Sequence, residues 1–146
     1  MFQTKMFNPV NKPGTIEKKE IIDFLYHNLE NYGDPKADIE KCIEYAMKET
    51  PSFGGFVLVS YDGPTMTGVV VVNQTGMKDY IPENILVYIA THQEMRGQGI
   101  GKKLMADTIQ MANGNIALHV EPDNPARFLY EKVGFTSKYI EMRLIK

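Results

Sequence analysis

The chain has a single cysteine in 146 residues, Cys42, so it cannot form an intrachain disulfide. It has no surplus of positive charge. A formal charge of −2 and a pI near 5.9 argue against a general binder of nucleic acid or anionic membranes, while leaving room for a local anion site. Its apolar runs are short: Phe56 to Val59 and Val69 to Val72 fall far below the ~18 residues of a membrane span. Three scattered histidines and one cysteine offer no metal-ligand spacing, which argues against a metalloenzyme. Internal repeats, low-complexity blocks and interdomain linkers are also lacking. The opening MFQTKMFNPVNKPG shows no signal-peptide pattern, and with a lone cysteine this makes a reducing cytoplasm the expected compartment.

The composition is that of a globular protein, 43% hydrophobic and 23% charged. At this length a chain buries roughly 68–70% of its unfolded surface, so one domain over residues 1–146 is expected to hold its own core. Residues 1–8 suit an edge strand. From Thr15 to Tyr32, the positions Ile22, Leu25, Tyr26 and Leu29 recur at helical spacing, with Gly33 as the stop. Asp34-Pro35 starts a second helix with Ile39, Cys42, Ile43 and Ala46 on one face, which makes Cys42 a packing residue rather than a nucleophile.

Gly55–Tyr61 and Met66–Asn73 read as strands of a hairpin turned at Asp62-Gly63-Pro64. A strand over Ile85–Thr91 follows, then a helix with Leu104, Met105, Thr108, Ile109 and Ala112 on one side. Strand Ile116–Glu121, a helix over Pro125–Val133 capped by Asp123 or Asn124, and a last strand or strands within Thr136–Leu144 complete the order. Such an order describes an α/β (α+β) domain whose mixed sheet is covered by helices.

The richest stretch joins the strand ending at Thr91 to the helix after Gly101. In Arg96-Gly97-Gln98-Gly99-Ile100-Gly101 the alternate glycines permit positive φ and expose successive N–H groups. Backed by a helix N-terminus, these form a concave anion site. Lys102 and Lys103 sit in that helix's first turn with no acid there to offset them, against the macrodipole by roughly 0.3–1 kcal/mol each; solvated lysines are the plain alternative. A Walker A loop fails, because Arg96 stands at its first glycine and Lys103 at its Ser/Thr. A dinucleotide fingerprint fails at Lys102, where its third glycine belongs, and the turn lies late in the chain.

The same hexapeptide resembles the R/Q-x-x-G-x-G/A pyrophosphate loop of the GNAT N-acetyltransferase superfamily. Asn124-Pro125-Ala126-Arg127-Phe128-Leu129-Tyr130-Glu131-Lys132-Val133-Gly134-Phe135 resembles that family's N-x-A-x-x-x-Y-x-x-x-G-F ending. The likeness runs in order from about Gly55 to Phe135; Gln93 replaces a proline common in relatives just before the loop. It implies a mixed, mostly antiparallel sheet with a splayed parallel strand pair, 85–91 and 116–121, and helices on both faces. It also implies acetyl transfer from acetyl-coenzyme A to a primary amine.

In that reading the loop, Arg96, Gly97, Gln98, Gly99, Ile100, Gly101 and Lys102, holds the pyrophosphate of coenzyme A. Ile89, Ala90 and Thr91 pair with its peptide-like pantetheine arm, as in strand addition, and Asn124 contacts the coenzyme, with Asp123 as the alternative at that position. Tyr130 matches the family tyrosine that acts as general acid toward the departing thiolate; packing beside Phe135 is its plainer role. Candidate bases are His119 and Glu121, on one face of the expected strand, with Glu83 and Glu94 further back; ordered water is the alternative. Glu30, Asp34, Asp38 and Glu49 could attract a cationic amine or be solvated helix faces. A small metabolite, a polyamine, a drug and a protein N-terminus stay open as acceptors, and so does a homodimer. Two other readings stay open as well: a coenzyme A-binding sensor without turnover, and transfer of another acyl group.

Overall fold

The computed structural model describes residues 2–146. Its centre is a five-stranded sheet in the order β1-β2-β3-β4-β5. β1 (Phe2–Phe7), β2 (Gly55–Asp62), β3 (Thr65–Gln74) and β4 (Asn84–Thr91) run antiparallel to their neighbours, and β5 (Ile116–Leu118) lies parallel to β4. The antiparallel part is built by short-range chemistry. Gly63-Pro64 turns the hairpin, and the unbroken Val69–Val72 is buried on both faces of the sheet. The parallel pair needs a crossover, supplied by α3 (Ile100–Met111).

Helices cover the two faces. On one, α1 (Thr15–Asn28) and α2 (Lys36–Ala46) bring Ile21, Leu25, Ile39, Ile43 and Ala46 onto Val57, Val59, Val69 and Val71. On the other, α3 and α4 (Ala126–Lys132) bring Ile100, Leu104, Met105 and Tyr130 onto Leu58, Val70, Val72 and Leu86. α3 lies close because Gly68 faces it: a Cβ there would sit 2.6 Å from Leu104 Cδ1. Burial of the Cys42 thiol pushes its pKa up to about 12, as expected of a packing residue rather than a nucleophile. Among the described residues no helix is long and apolar enough to cross a membrane.

Several expectations change. The first helix ends at Asn28, and Glu30–Tyr32 forms a separate 3-10 turn. Tyr26 and Ile109 are exposed at the borders of their helical stripes rather than buried within them. β5 stops at Leu118, three residues short of Glu121, and the described residues from Thr136 onward form no strand. Strand structure is set by pairing, and these segments lack a paired neighbour in the sheet.

Candidate active site

The site begins with an interruption in β4. Val71 pairs with Tyr88, but Val72 pairs with Leu86, so Val87 is an extra residue, a β-bulge. The bulge marks the height at which β5 departs. The parallel ladder runs only through Asn84–Ile116, Ile85–Ala117 and Leu86–Leu118, and from Val87 to Thr91 β4 is paired on its β3 side alone. The two parallel strands therefore splay, and the main chain of Ile89, Ala90 and Thr91 lies along the open edge.

The glycine turn stands at the end of that edge. Gly97 (φ +85) and Gly99 (φ +81) are left-handed, and a Cβ on either would meet nothing within 4 Å, so the turn is an open cradle. The first intrahelical donor of α3 is Lys103 N, to Gly99 O at 3.0 Å, so the N–H groups of Ile100, Gly101 and Lys102 precede the ladder. Gly101 is less open: a Cβ there would come into ordinary contact with Leu129 Cδ2 at 3.4 Å and Thr91 Cγ2 at 3.6 Å. Lys103 is neutralised by Asp107 one turn on (2.6 Å), whereas Lys102 has no ionic partner among the described residues.

The turn is clasped to α1. Gln93 Nε2 donates to His27 O (3.1 Å) and Arg96 Nη2 to Asn28 O (3.0 Å), so two carbonyls at the helix C-terminus are satisfied from the loop. The buried Asn28 side chain accepts from Gln93 N (3.0 Å) and donates to Phe24 O (2.9 Å). Gln93 thus ties the turn to α1 through both its backbone N–H and its side chain. Arg96 also reaches Glu30 Oε1 at 3.3 Å, and Glu30 holds the left-handed conformation at φ +56. The Arg96 side chain therefore braces the turn, and its open donors are backbone N–H groups.

α4 carries the second motif. Asn124 Oδ1 accepts from Ala126 N (2.9 Å) in a local turn, but the cap position of α4 is held by Pro125, so neither Asp123 nor Asn124 occupies it. Tyr130 is 7% exposed and meets the Phe135 ring edge-on at 6.1 Å. Burial pushes its phenol up to about 12. It packs in the same cluster as Ile89 and Leu118, on the α3–α4 side of the splay. His119 and Glu121 follow Leu118 as exposed residues outside any strand, so the shared strand face expected for them is not formed.

Glu83 is not beside the splay. It stands at the opposite end of β4, where its carboxylate accepts from Asn115 N (2.6 Å) and Asp79 N (3.1 Å), and these bonds hold it below the usual carboxylate range. Glu94 is exposed in the 3-10 turn Gln93–Met95. Glu49 pairs with Lys18 (3.6 Å) and Asp38 lies 3.9 Å from Lys41.

On the α1–α2 side two contacts have no counterpart in the sequence motifs. Tyr88 Oη donates to Asp34 Oδ2 at 2.5 Å, and burial followed by that carboxylate raises the Tyr88 pKa. Tyr32 Oη donates to Asp123 O (3.4 Å), and desolvation followed by the charges of Asp123, Glu121 and Glu30 raises its pKa too. A cavity of about 540 Å³ lies here, lined by Tyr26, His27, Glu30, Gly33 and Asp34 among others. Contacts that join residues 54 and 91 positions apart leave no local periodicity to read.

A family model described as "Acetyltransferase (GNAT) domain" matches residues 53–137, from the hairpin through the end of the second motif. The chain is 31% identical over 109 residues to mouse "Cysteine-rich protein 2-binding protein"; the match covers 73% of this chain but 12% of that protein's length. Among solved structures it is similar to PH1933 from Pyrococcus horikoshii OT3, with TM-score 0.66 and 25% identity over 92% of this chain and 89% of the other. It is also similar to the GNAT family acetyltransferase SP0256 from Streptococcus pneumoniae TIGR4, with TM-score 0.68 and 16% identity over 100% and 98% of the two chains, a likeness of fold.

Proposed function

The chain belongs to the GNAT acetyltransferase family, and from that premise we propose that it transfers an acetyl group from acetyl-coenzyme A to a primary amine by direct attack. The observation that carries this reading is the coincidence of three features. β4 has no ladder partner on its β5 side beyond Leu86, that edge leads to an open turn whose last N–H groups precede the α3 ladder, and Tyr130 packs in the same cluster as Ile89 and Leu118. The turn suits a diphosphate: no atom lies within 4 Å of a Cβ added at Gly97 or Gly99, and the N–H groups of Ile100, Gly101 and Lys102 precede the helical ladder. The main chain of Ile89–Thr91 supplies donors and acceptors for a peptide-like arm, and the free amide nitrogen of Asn124 a further donor. Acetyl-coenzyme A supplies the activated thioester.

Tyr130 Oη keeps its proton throughout the physiological range because burial holds its pKa near 12. Against a thiolate of ordinary pKa near 8.5, such a phenol would be a weak acid. The same desolvation also destabilises a bare thiolate in that place, so proton donation from Oη keeps pace with the charge that calls for it. His119 and Glu121, exposed just past the last paired residue of β5, take the amine's proton directly or through water. The unpaired Cys42 supports a reducing, cytoplasmic setting.

The test is release of thiol from acetyl-coenzyme A across a panel of amines, for the wild type and Tyr130→Phe. A fall in kcat of about 10²–10⁴-fold for the variant supports the general acid; unchanged turnover at every pH removes Tyr130 from that role. Tight coenzyme binding with no thiol release from any amine would make the protein a coenzyme sensor. Faster release from another acyl thioester would change the acyl group.

A further inference from the structure

The two sides of the open half of β4 serve different partners. Ile89 packs in the cluster of Tyr130, α3 and α4, whereas Tyr88 and Ala90 pack with α1 and α2. With Tyr130 giving its proton from the first side, an amine reaches the acetyl group from the second. That side holds the cavity of about 540 Å³, within the usual range for a small-ligand pocket, and its lining has two carboxylates, Glu30 and Asp34. They differ in their partners. Glu30 is paired with Arg96 at 3.3 Å. Asp34 has no ion pair among the described residues; its Oδ2 accepts a hydrogen bond of 2.5 Å from the buried Tyr88 phenol. A carboxylate accepts more than one such bond, so Oδ1 is left for another donor. Asp34 is also held from both ends: Pro35 disfavours helical backbone at the residue before it, and Tyr88 fixes the side chain. The surrounding field is negative. In the same connector, desolvation and the charges of Asp123, Glu121 and Glu30 raise the Tyr32 pKa. Arg143, bonded to Glu141, also feels the Asp34 charge, and the neighbouring Lys36 ammonium is committed to Asp23 at 3.0 Å.

We propose that Asp34, positioned by Tyr88, binds a second positive charge of the acceptor, which makes the preferred substrate a flexible diamine rather than a monoamine. The inference rests on the transfer reading above and names its acceptor. A tyrosine side chain and one hydrogen bond separate β4 from Asp34, a reach that an acceptor chain of about five to seven carbon atoms matches. With one ammonium on Asp34 Oδ1, the far amine meets the open half of β4 and attacks as the neutral base. Its nitrogen forms the new C–N bond as the thioester C–S bond breaks. The proton that the amine loses balances the one that Tyr130 gives to the thiolate, and the anchored ammonium keeps its charge throughout. Asp34 therefore selects the acceptor without entering the chemistry.

Thiol release by the whole chain with hexamethylenediamine and with heptylamine tests this, because the two acceptors match in length and differ in one terminal charge. The wild type is expected to favour the diamine by about tenfold in kcat/KM, the equivalent of one charge-assisted contact. Asp34→Asn should raise the diamine KM by about tenfold and leave kcat and the heptylamine KM nearly unchanged. The amide oxygen of that variant still accepts from Tyr88 Oη, so it should melt like the wild type. Tyr88→Phe keeps the charge but frees the carboxylate, so the diamine KM should rise only several-fold, again with little change for heptylamine. Added salt should shrink the wild-type preference. Equal kcat/KM for the two amines, or an Asp34→Asn variant that keeps the full preference, overturns the diamine site and leaves acetyl transfer standing. So does turnover of other amines with none of this pair. Thiol release with no amine at all overturns both readings.

Discussion

The two halves of β4 share one strand and differ in almost everything else. From Asn84 to Leu86 the strand is paired on both edges, Asn84 and Leu86 are 1% and 3% exposed, and the Asn84 side chain donates to Asn113 O at 2.7 Å and to Asn115 O at 3.3 Å. From Val87 to Thr91 it is paired on one edge, and Ile89 and Thr91 are only half-buried. The first half is scaffold. The second is an unpaired edge, which proteins ordinarily cover or blunt. Here one extra residue, Val87, separates the halves, so the site arises where regular pairing stops rather than from a dedicated loop.

Truncating one apolar residue in each half should break the comparison most sharply. Leu86→Ala should cost about 2–5 kcal/mol in urea unfolding, the range for an aliphatic side chain lost from a packed core. Ile89→Ala should cost less, about 1–2 kcal/mol, since that side chain is only partly buried against the core. The proposed coenzyme contact at Ile89 is through main chain, so donor KM should change by less than about threefold. Equal destabilisation by the two variants would mean that the halves are equally packed and that the open edge is not a distinct region.

A pH series sharpens the contrast from the helix that flanks the open half. The Tyr130 pKa is raised from about 10 in the unfolded chain to about 12 in the fold. A raised pKa means that this group's contribution is fully present below pH 10 and is lost as pH climbs through 12. The loss amounts to about 2–3 kcal/mol. Tyr88 and Tyr61 are shifted the same way, so the measurement is the difference between the wild type and Tyr130→Phe. Parallel stability curves for the two proteins from pH 9 to 12 would show that Tyr130 is not desolvated.

What could be read in the sequence divides along the same boundary. Features written by local chemistry were legible: the Gly63-Pro64 turn, the edge strand at Phe2–Phe7, the glycine turn, and the start of α4 beside Pro125. The bulge was not, because Ile85 to Ala90 is a continuous strand-forming run with no glycine or proline to mark an extra residue. The expected last strand failed for a related reason. Tyr139, Ile140 and Ile145 favour β structure, yet each is more than 80% exposed, because propensity without a paired neighbour makes no strand. The proposed coenzyme side of the site lies in two contiguous motifs. The Tyr88–Asp34 contact and the clasp of Gln93 and Arg96 onto α1 join segments that only the fold brings together.

Two smaller perturbations probe the ends of β4 separately. Asn84→Ala removes two side-chain bonds at the closed end but leaves Asn84 N donating to Asn115 O (3.1 Å), so the loss should be about 1–2 kcal/mol, with donor affinity unchanged. Gly99→Ala, at the open end, should cost about 1 kcal/mol, because φ +81 penalises a Cβ while no atom lies within 4 Å to clash with it. That same empty space is where the proposed diphosphate sits, so coenzyme affinity should fall by more than the melting shift alone would produce. Thermal melting and coenzyme titration of the two variants should therefore give opposite rankings: Asn84→Ala worse in stability, Gly99→Ala worse in binding. If Gly99→Ala binds coenzyme A like the wild type, the added methyl meets no ligand and the open turn is not the anion site.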